Sequence, residues 1–127
     1  MTRNTIPTAT ELEILQVLWN YGPLTVREVH ERLGTTQSLG YTSVLKMLQI
    51  MHKKGLVKRN EKQRSHVYRP SQPAEKTQQG LVRNLVDKAF SGSATDLVVR
   101  ALSSKKLTAE EIETMRALID EKAREND

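Results

Sequence analysis

The 127-residue sequence contains no cysteine, and aromatic residues make up only 4% of it. Without cysteine there is no disulfide, thiolate metal site or cysteine nucleophile, and so few aromatic rings exclude a large aromatic core. No apolar run approaches the roughly 20 residues that a membrane-spanning helix needs, and the N-terminal segment MTRNTIPTATE lacks the apolar centre of a signal peptide. The sequence therefore predicts a cytoplasmic protein that does not insert into a membrane.

The residue patterns that carry catalysis or hold a metal are also missing. His30, His52 and His66 have no metal-ligand spacing with one another or with carboxylates. There is no Gly-rich phosphate loop, and no serine has a His/Asp setting. The paired carboxylates Glu110 and Glu111 fall in the first turn of a predicted helix, where the helix dipole favours them. We therefore expect no enzymatic activity, no cofactor and no metal.

Acidic residues are scarce in the first part of the chain. Residues 1–70 hold 11 Lys and Arg against 5 Asp and Glu, a net charge of +6, whereas residues 71–127 hold 9 against 10, a net charge of −1. The whole surplus of +5 therefore lies in the first part. This asymmetry favours a nucleic-acid-binding region joined to a region with another role.

The stretch Gly40–Gly55, GYTSVLKMLQIMHKKG, has the pattern of an amphipathic helix. Its apolar residues Val44, Met47, Leu48 and Met51 recur at i, i+3, i+4 and i+7, which places them on one face. The other faces carry hydroxyls, an amide and cations without any acidic residue, and the final glycine suits a left-handed cap. Such a helix either enters the major groove of DNA or is a surface helix with a solvated basic face.

Two shorter helices are predicted before this stretch. Thr8 and Thr10 are both candidate N-caps of the first, because each is followed three residues later by a glutamate. The second opens at a capping box of Thr25 and Glu28, and residues 34–38 form a polar turn. The predicted inward residues are Leu12, Leu15, Leu18 and Trp19, flanked by Ile14 and Val17, in the first helix, and Val26, Val29 and Leu33 in the second.

After the basic helix the pattern changes to two short extended segments, 56–59 and 66–69, around the polar turn 60–65. This pattern predicts a β-hairpin. Helix, short strand, helix, helix, strand, strand is the order of a winged helix, in which the third helix enters the major groove and the hairpin lies on the adjacent backbone. Lys62 and Arg64 at the hairpin tip suit phosphate contacts, which supply affinity and little sequence information.

The remaining residues predict three helices, at about 74–90, at 95–102 and from about 109 onward, with a linker at 103–106. About 57 residues rarely bury enough apolar surface to be stable alone, so their apolar stripes need a partner surface. That partner is either the winged helix of the same chain or a second copy, and we favour the second copy. The expected dimerisation residues are Leu81, Leu85, Phe90, Leu97, Val98, Leu102, Ile112, Met115, Leu118 and Ile119.

The fold class that follows is mainly α with a small β-hairpin. An N-terminal winged helix-turn-helix spans residues 1–71, and a C-terminal three-helix dimerisation region spans residues 72–127. Two copies of this arrangement would place two recognition helices about 34–36 Å apart over a palindromic site.

Over nearly its whole length the sequence resembles the penicillinase-repressor family, the BlaI/MecI/CopY transcriptional repressors. The matching segments are 10–15 (TELEIL) with Leu18-Trp19, 41–45 (YTSVL), 52–56 (HKKGL), 67–70 (VYRP), 97–99 (LVV) and 107–113 (LTAEEIE). No single segment is unique to the family, but their order and spacing together are specific.

The resemblance implies a homodimeric repressor that binds a palindromic operator, such as that of a resistance or stress-response operon. In antibiotic-responsive members it implies a membrane sensor protease that leads to cleavage at an Asn-Phe bond after a Leu-Val run. The matching bond here is Arg100–Ala101, and neither family residue is kept. The copper-responsive branch uses a cysteine cluster that this sequence lacks.

We expect DNA contacts from the basic helix and from the hairpin tip. The candidate residues are Tyr41, Thr42, Ser43, Leu45, Lys46, Gln49 and Lys53 of the helix, with Lys62 and Arg64 of the tip. Lys46 is the best single candidate for a base or phosphate contact, and Leu45 either touches a thymine methyl or packs on a neighbouring helix. The alternative function is a winged-helix module that binds proteins and has no specific DNA binding.

Overall fold

The structure is a computed structural model that describes residues 6–34 and 39–126. Its helices are α1 (Ala9–Tyr21), α2 (Val26–Leu33), α3 (Tyr41–Lys54), α4 (Ala74–Ala89), α5 (Ala94–Ser104) and α6 (Ala109–Glu125). Its strands are β1 (Leu24–Thr25), β2 (Val57–Asn60) and β3 (Val67–Pro70). The predicted fold class, mainly α with a small β-hairpin, is confirmed. Most of the turn predicted at residues 34–38 lies outside the described residues.

The chain divides into two compact units, Met1–Arg83 and Asn84–Asp127. The division falls inside α4, so this helix contributes residues to both units. The expected assignment of residues 1–71 to DNA binding and 72–127 to dimerisation concerns function, and it stays a prediction.

Capping boxes start both helices that precede α3. At α1 the Thr8 Oγ1 accepts a hydrogen bond from the Glu11 N–H at 3.2 Å, and the Glu11 carboxylate accepts one from the Thr8 N–H at 2.8 Å. Of the two candidate N-caps Thr8 is therefore the correct one, and Thr10 lies inside the helix. Thr25 and Glu28 make the same reciprocal pair at the start of α2, as predicted.

The core of the first unit lies where α1, α2 and α3 pack on the sheet. Its buried apolar residues are Ile14, Leu15, Val17, Leu18, Leu24, Val26, Val29, Leu33, Val44, Leu48, Met51, Val57 and Tyr68. Leu15 and Leu18 of the inward stripe predicted for α1 are buried. The stripe is shifted from its predicted centre, because Ile14 is fully buried whereas Leu12 and Trp19 are only half-buried at its edges. Trp19 instead donates its indole N–H to the Gln72 carbonyl oxygen at 3.1 Å.

The predicted hairpin is present, with β2 and β3 antiparallel and each displaced by one residue from the expected range. β1 also pairs with β3, so the sheet has three strands in the order β1-β3-β2. Because β3 is the central strand, Tyr68 is 1% exposed and belongs to the core.

The second unit contains the end of α4 together with α5 and α6. Helix α5 is longer than the predicted range 95–102, because Ser103 and Ser104 belong to it and not to a linker. Their hydroxyls donate to the carbonyl oxygens of Val99 and Ala101 at 2.9 and 3.0 Å, which satisfies both groups within the last turn. At α6, Thr108 and Glu111 form the same reciprocal capping box that starts α1 and α2.

Candidate nucleic-acid interface

Helix α3 has two opposite faces with different chemistry. Val44, Leu48 and Met51 are 0% exposed and hold one face in the core. A second set of side chains lies roughly opposite, since successive residues turn by about 100° around a helix. This outward strip consists of Thr42, Lys46, Gln49 and Lys53, all of them exposed. It therefore offers hydroxyl, amide and ammonium groups to solvent along about three turns.

The start of α3 is held by contacts to α2. The edge of the Tyr41 ring meets the His30 ring, with centroids 6.3 Å apart and an interplanar angle of 86°. His30 Nε2 is 3.1 Å from the Leu39 carbonyl oxygen. Tyr41 remains 46% exposed and Ser43 is exposed, so both are accessible to a phosphate or a base edge.

Leu45 is half-buried and packs against the core. The packing interpretation of this side chain is therefore confirmed. Its exposed part borders the cleft between α3 and the hairpin, and a contact with a thymine methyl stays a prediction.

Gly55 ends α3 in the left-handed conformation, with φ at +85°. Its N–H donates to the carbonyl oxygens of Met51 and His52, and the Leu56 N–H donates to Met51 at 2.9 Å. These bonds turn the chain sharply into β2, as the final glycine predicted. The turn places the hairpin beside α3.

The hairpin tip exposes the cations expected to contact phosphate. Lys62 and Arg64 are both exposed, and the Asn60 side-chain oxygen accepts a hydrogen bond from the Lys62 N–H at 3.0 Å. Among the described residues, no ion pair involves Lys46, Lys53, Lys62 or Arg64. These four charges are therefore free to meet an anionic partner.

A cleft of about 520 Å³ separates the side of α3 from the hairpin and the start of α2. Arg27, Arg59, Arg64 and His66 line it, and no carboxylate does. Arg27, Arg59 and His66 were not among the predicted DNA contacts. Arg27 was missed because only the pairing of β1 with β3 brings the start of α2 beside the hairpin, whereas Arg59 and His66 lie in the predicted hairpin but outside its tip. The lining makes the cleft suitable for phosphate oxygens.

Arg59 is the one cation of this cleft with a carboxylate partner in the described part of the chain. Its guanidinium donates to Glu61 and, at 3.5 Å, to the Tyr68 hydroxyl. The hydrogen bond with Glu61 raises the pKa of Arg59. The same bond lowers the pKa of Glu61, so both groups stay charged at neutral pH.

An ion pair between the partly exposed Lys54 and the buried Glu11 joins the end of α3 to α1. The Lys54 ammonium donates to the Glu11 carboxylate at 2.8 Å, and Glu11 is only 2% exposed. Burial opposes the charged form, but the hydrogen bonds from Lys54 and Thr8 outweigh it, so the pKa of Glu11 is lowered from its ordinary value. The sequence indicated Glu11 only as a capping residue, because no local pattern shows a partner 43 residues away.

Except for Phe90, which directly follows α4, the expected dimerisation residues lie on α4, α5 and α6, which bury none of their side chains. The most exposed apolar residues are Leu118 at 59% and Ile119 at 63%. The other expected dimerisation residues form two groups. The exposed ones are Leu85, Val98, Leu102 and Ile112, and the half-covered ones are Leu81, Phe90, Leu97 and Met115. Arg100 and Ala101, at the bond matched to the family cleavage site, are exposed within α5.

No helix in the described part of the chain is long and apolar enough to cross a bilayer. Within residues 6–34 and 39–126, no group of three or more histidine and acidic side chains could hold a metal ion.

The family profile and the related sequences agree on one family. The sequence profile of the family described as penicillinase repressor matches residues 7–121. The penicillinase repressor of Bacillus licheniformis is 23% identical over 111 residues, which are 87% of this chain and 87% of that protein. Transcriptional regulator BlaI of Mycobacterium tuberculosis (strain CDC 1551 / Oshkosh) is 32% identical over 113 residues, 87% of this chain and 80% of that protein.

Among solved structures, a MarR family protein from Bacillus stearothermophilus aligns with 96% of this chain and 76% of its own, at 21% identity and a TM-score of 0.49. The family profile spans most of the sequence, so the resemblance that the motifs indicated is confirmed. The chain therefore belongs to the penicillinase repressor family of transcriptional regulators.

Proposed function

We propose that this protein is a homodimeric repressor that binds a palindromic DNA operator through α3. The outward strip of Thr42, Lys46, Gln49 and Lys53 carries this proposal. It lies opposite a fully buried core face, it is exposed, and it contains no acidic side chain. Hydroxyls, amides and lysines are the groups that donate to base edges and phosphates in the major groove.

The hairpin supplies the second DNA contact in this proposal. Arg64 at its tip and Arg27 at the start of α2 line the same cleft as Gln49 of the strip, and Lys62 at the tip is exposed. Phosphate contacts of this kind fix the orientation of the recognition helix on the duplex and contribute affinity that is independent of sequence.

The second unit supports dimerisation because it lacks a core of its own. None of its described residues is buried, although seven of its large apolar side chains are at least 39% exposed. Apolar side chains that a chain leaves exposed together mark protein interfaces when they form one patch. A second copy presents the same faces, so a two-fold interface would cover both sets and would place the two α3 helices over the halves of a palindrome.

Release of the operator by a membrane sensor protease stays a prediction. The matched bond, Arg100–Ala101, lies within α5, where both residues are exposed but helical. A protease that binds an extended substrate would have to unwind α5 locally. Incubation of the purified protein with a family sensor protease, followed by mass spectrometry, tests whether this bond is cut.

The DNA-binding proposal is tested by selecting duplexes from a random-sequence library with the full-length protein. We expect an inverted repeat, and we expect log K to fall with log salt concentration at a slope of roughly −7 per dimer if four cations per protomer each neutralise a phosphate. No enriched sequence, or an affinity that is insensitive to salt, would contradict the proposal and favour the protein-interaction module.

A further inference from the structure

Glu11 is the one buried charged side chain in the part of the chain that the structure describes. A carboxylate in an apolar interior is costly unless it is paired and hydrogen-bonded. Here one carboxylate oxygen accepts from the Thr8 N–H and the other accepts from the Lys54 ammonium, both at 2.8 Å. The capping box needs only the first contact, so the contact with Lys54 calls for an explanation of its own.

Lys54 lies at the edge of the buried face of α3. Its side chain is about 60° around the helix from Met51 and about 100° from Lys53. It therefore points away from the middle of the outward strip, and only 34% of it is exposed. Its charge is neutralised by Glu11 and is not directed at the solvent side where Lys46 and Lys53 lie.

The pair supplies a constraint that the apolar face of α3 lacks. Val44, Leu48 and Met51 hold the helix against the core, but apolar burial is non-directional and resists sliding and rotation only through shape. A charge-assisted hydrogen bond has a preferred length and angle. Because the capping box fixes Glu11 on α1, this bond fixes the last turn of α3 along and around its axis.

We propose that Glu11 is a positioning residue for DNA reading, which acts through Lys54 to set the register of α3 against the bases. This inference rests on the proposed function. Groups that read base edges need placement within about 0.5 Å, so a small rotation of α3 would misalign the outward strip while leaving the cations near the phosphates.

The test distinguishes a positioning role from a folding role by comparing two changes in affinity, one for the selected duplex and one for a scrambled duplex. Glu11→Gln removes a negative charge near the DNA-binding surface, so affinity for a scrambled duplex should stay constant or rise. Affinity for the selected duplex should fall about tenfold, the scale of coupling between contacting residues. A merely structural loss would lower the folded fraction and reduce both affinities by one common factor.

The experiment measures fluorescence anisotropy of both duplexes with the full-length protein, at a temperature where circular dichroism shows each variant folded. Lys54→Gln should lose the same specificity, and the double variant should lose no more than either single variant. Lys54→Arg, which keeps the charged donor, should retain specificity. Lys53→Gln is the matched control, because Lys53 is next to Lys54 in the last turn of α3. It should weaken binding to both duplexes by the same factor.

If Glu11→Gln and Lys54→Gln keep the wild-type ratio of selected to scrambled affinity, or if their effects add in the double variant, the positioning role is wrong. If Glu11→Gln fails to fold, the comparison of Lys54→Gln with Lys54→Arg decides alone. A wild-type protein that prefers no duplex refutes the proposed function and this inference with it, whereas specific binding with a silent Glu11 refutes only the inference.

Discussion

Replacement of Ile119 by alanine should weaken the dimer strongly. Ile119 is 63% exposed on α6 in the single chain, and full burial of an isoleucine contributes about 1.5–3 kcal/mol. Covering the exposed part therefore contributes about 1–2 kcal/mol per protomer. A two-fold interface contains the residue twice, so Ile119→Ala should cost about 2–4 kcal/mol and raise the dimer Kd by roughly 30–900-fold.

Sedimentation equilibrium over a range of protein concentrations measures this Kd directly. Alanine has a higher helix propensity than isoleucine, so circular dichroism should show that α6 is retained. Glu121→Ala is the matched control, because Glu121 is exposed on the other side of the same helix, and its Kd should stay within about twofold of the wild type. A wild-type monomer at micromolar concentration, or an Ile119→Ala dimer of unchanged Kd, would refute the assignment of this face.

The other predictions concern the hairpin, the end of α3 and the buried carboxylate. Arg64→Gln should weaken binding to all duplexes and reduce the magnitude of the salt slope by about 1 per protomer; an unchanged slope in anisotropy titrations would place Arg64 off the DNA. Gly55→Ala should lower the free energy of unfolding in urea by about 1–2 kcal/mol, because φ is +85° there and nothing within 4 Å obstructs the added Cβ. Glu11 has a lowered pKa, so it stabilises the fold above its unfolded-state pKa, and this contribution is lost as pH falls through the lower folded value. The free energy of unfolding should therefore fall less steeply on acidification below about pH 4.5 in Glu11→Gln than in the wild type, and parallel pH profiles would contradict this.

The sequence predicts the helices well because their start and stop signals are local. Thr8, Thr25 and Thr108 each precede a glutamate by three residues, and each forms the expected capping box. The turn at Gly55 is equally local. These signals depend on a few neighbouring residues, and the tertiary fold does not change them.

Features that depend on distant residues could not be predicted in the same way. A short strand was predicted between the first two helices, but its pairing joins Leu24 to Tyr68, 44 residues away, and no local pattern shows that partner. The ion pair of Glu11 with Lys54 is of the same kind. In α1 the many apolar residues allow more than one inward stripe, and only the packed partners select Ile14 over Leu12.

The sequence predicts which side of α3 is exposed, but it does not predict all the residues that line the neighbouring cleft. The period of the buried residues in α3 places Lys46 and Gln49 on the exposed side, and the structure agrees. Arg27 and Arg59 line the cleft but were not predicted as DNA contacts. They belong to α2 and β2, whereas the predicted contacts were confined to α3 and the hairpin tip.

The claim that the outward strip of α3 reads DNA is tested most directly by one comparison of affinities. Lys46→Ala and Lys105→Ala each remove one exposed lysine, the first from the strip and the second from the second unit. Fluorescence anisotropy with the selected duplex should show a loss of about 1–3 kcal/mol, or roughly 5–150-fold, for Lys46→Ala and almost none for Lys105→Ala. Equal affinities of Lys46→Ala and the wild type for this duplex would contradict the account.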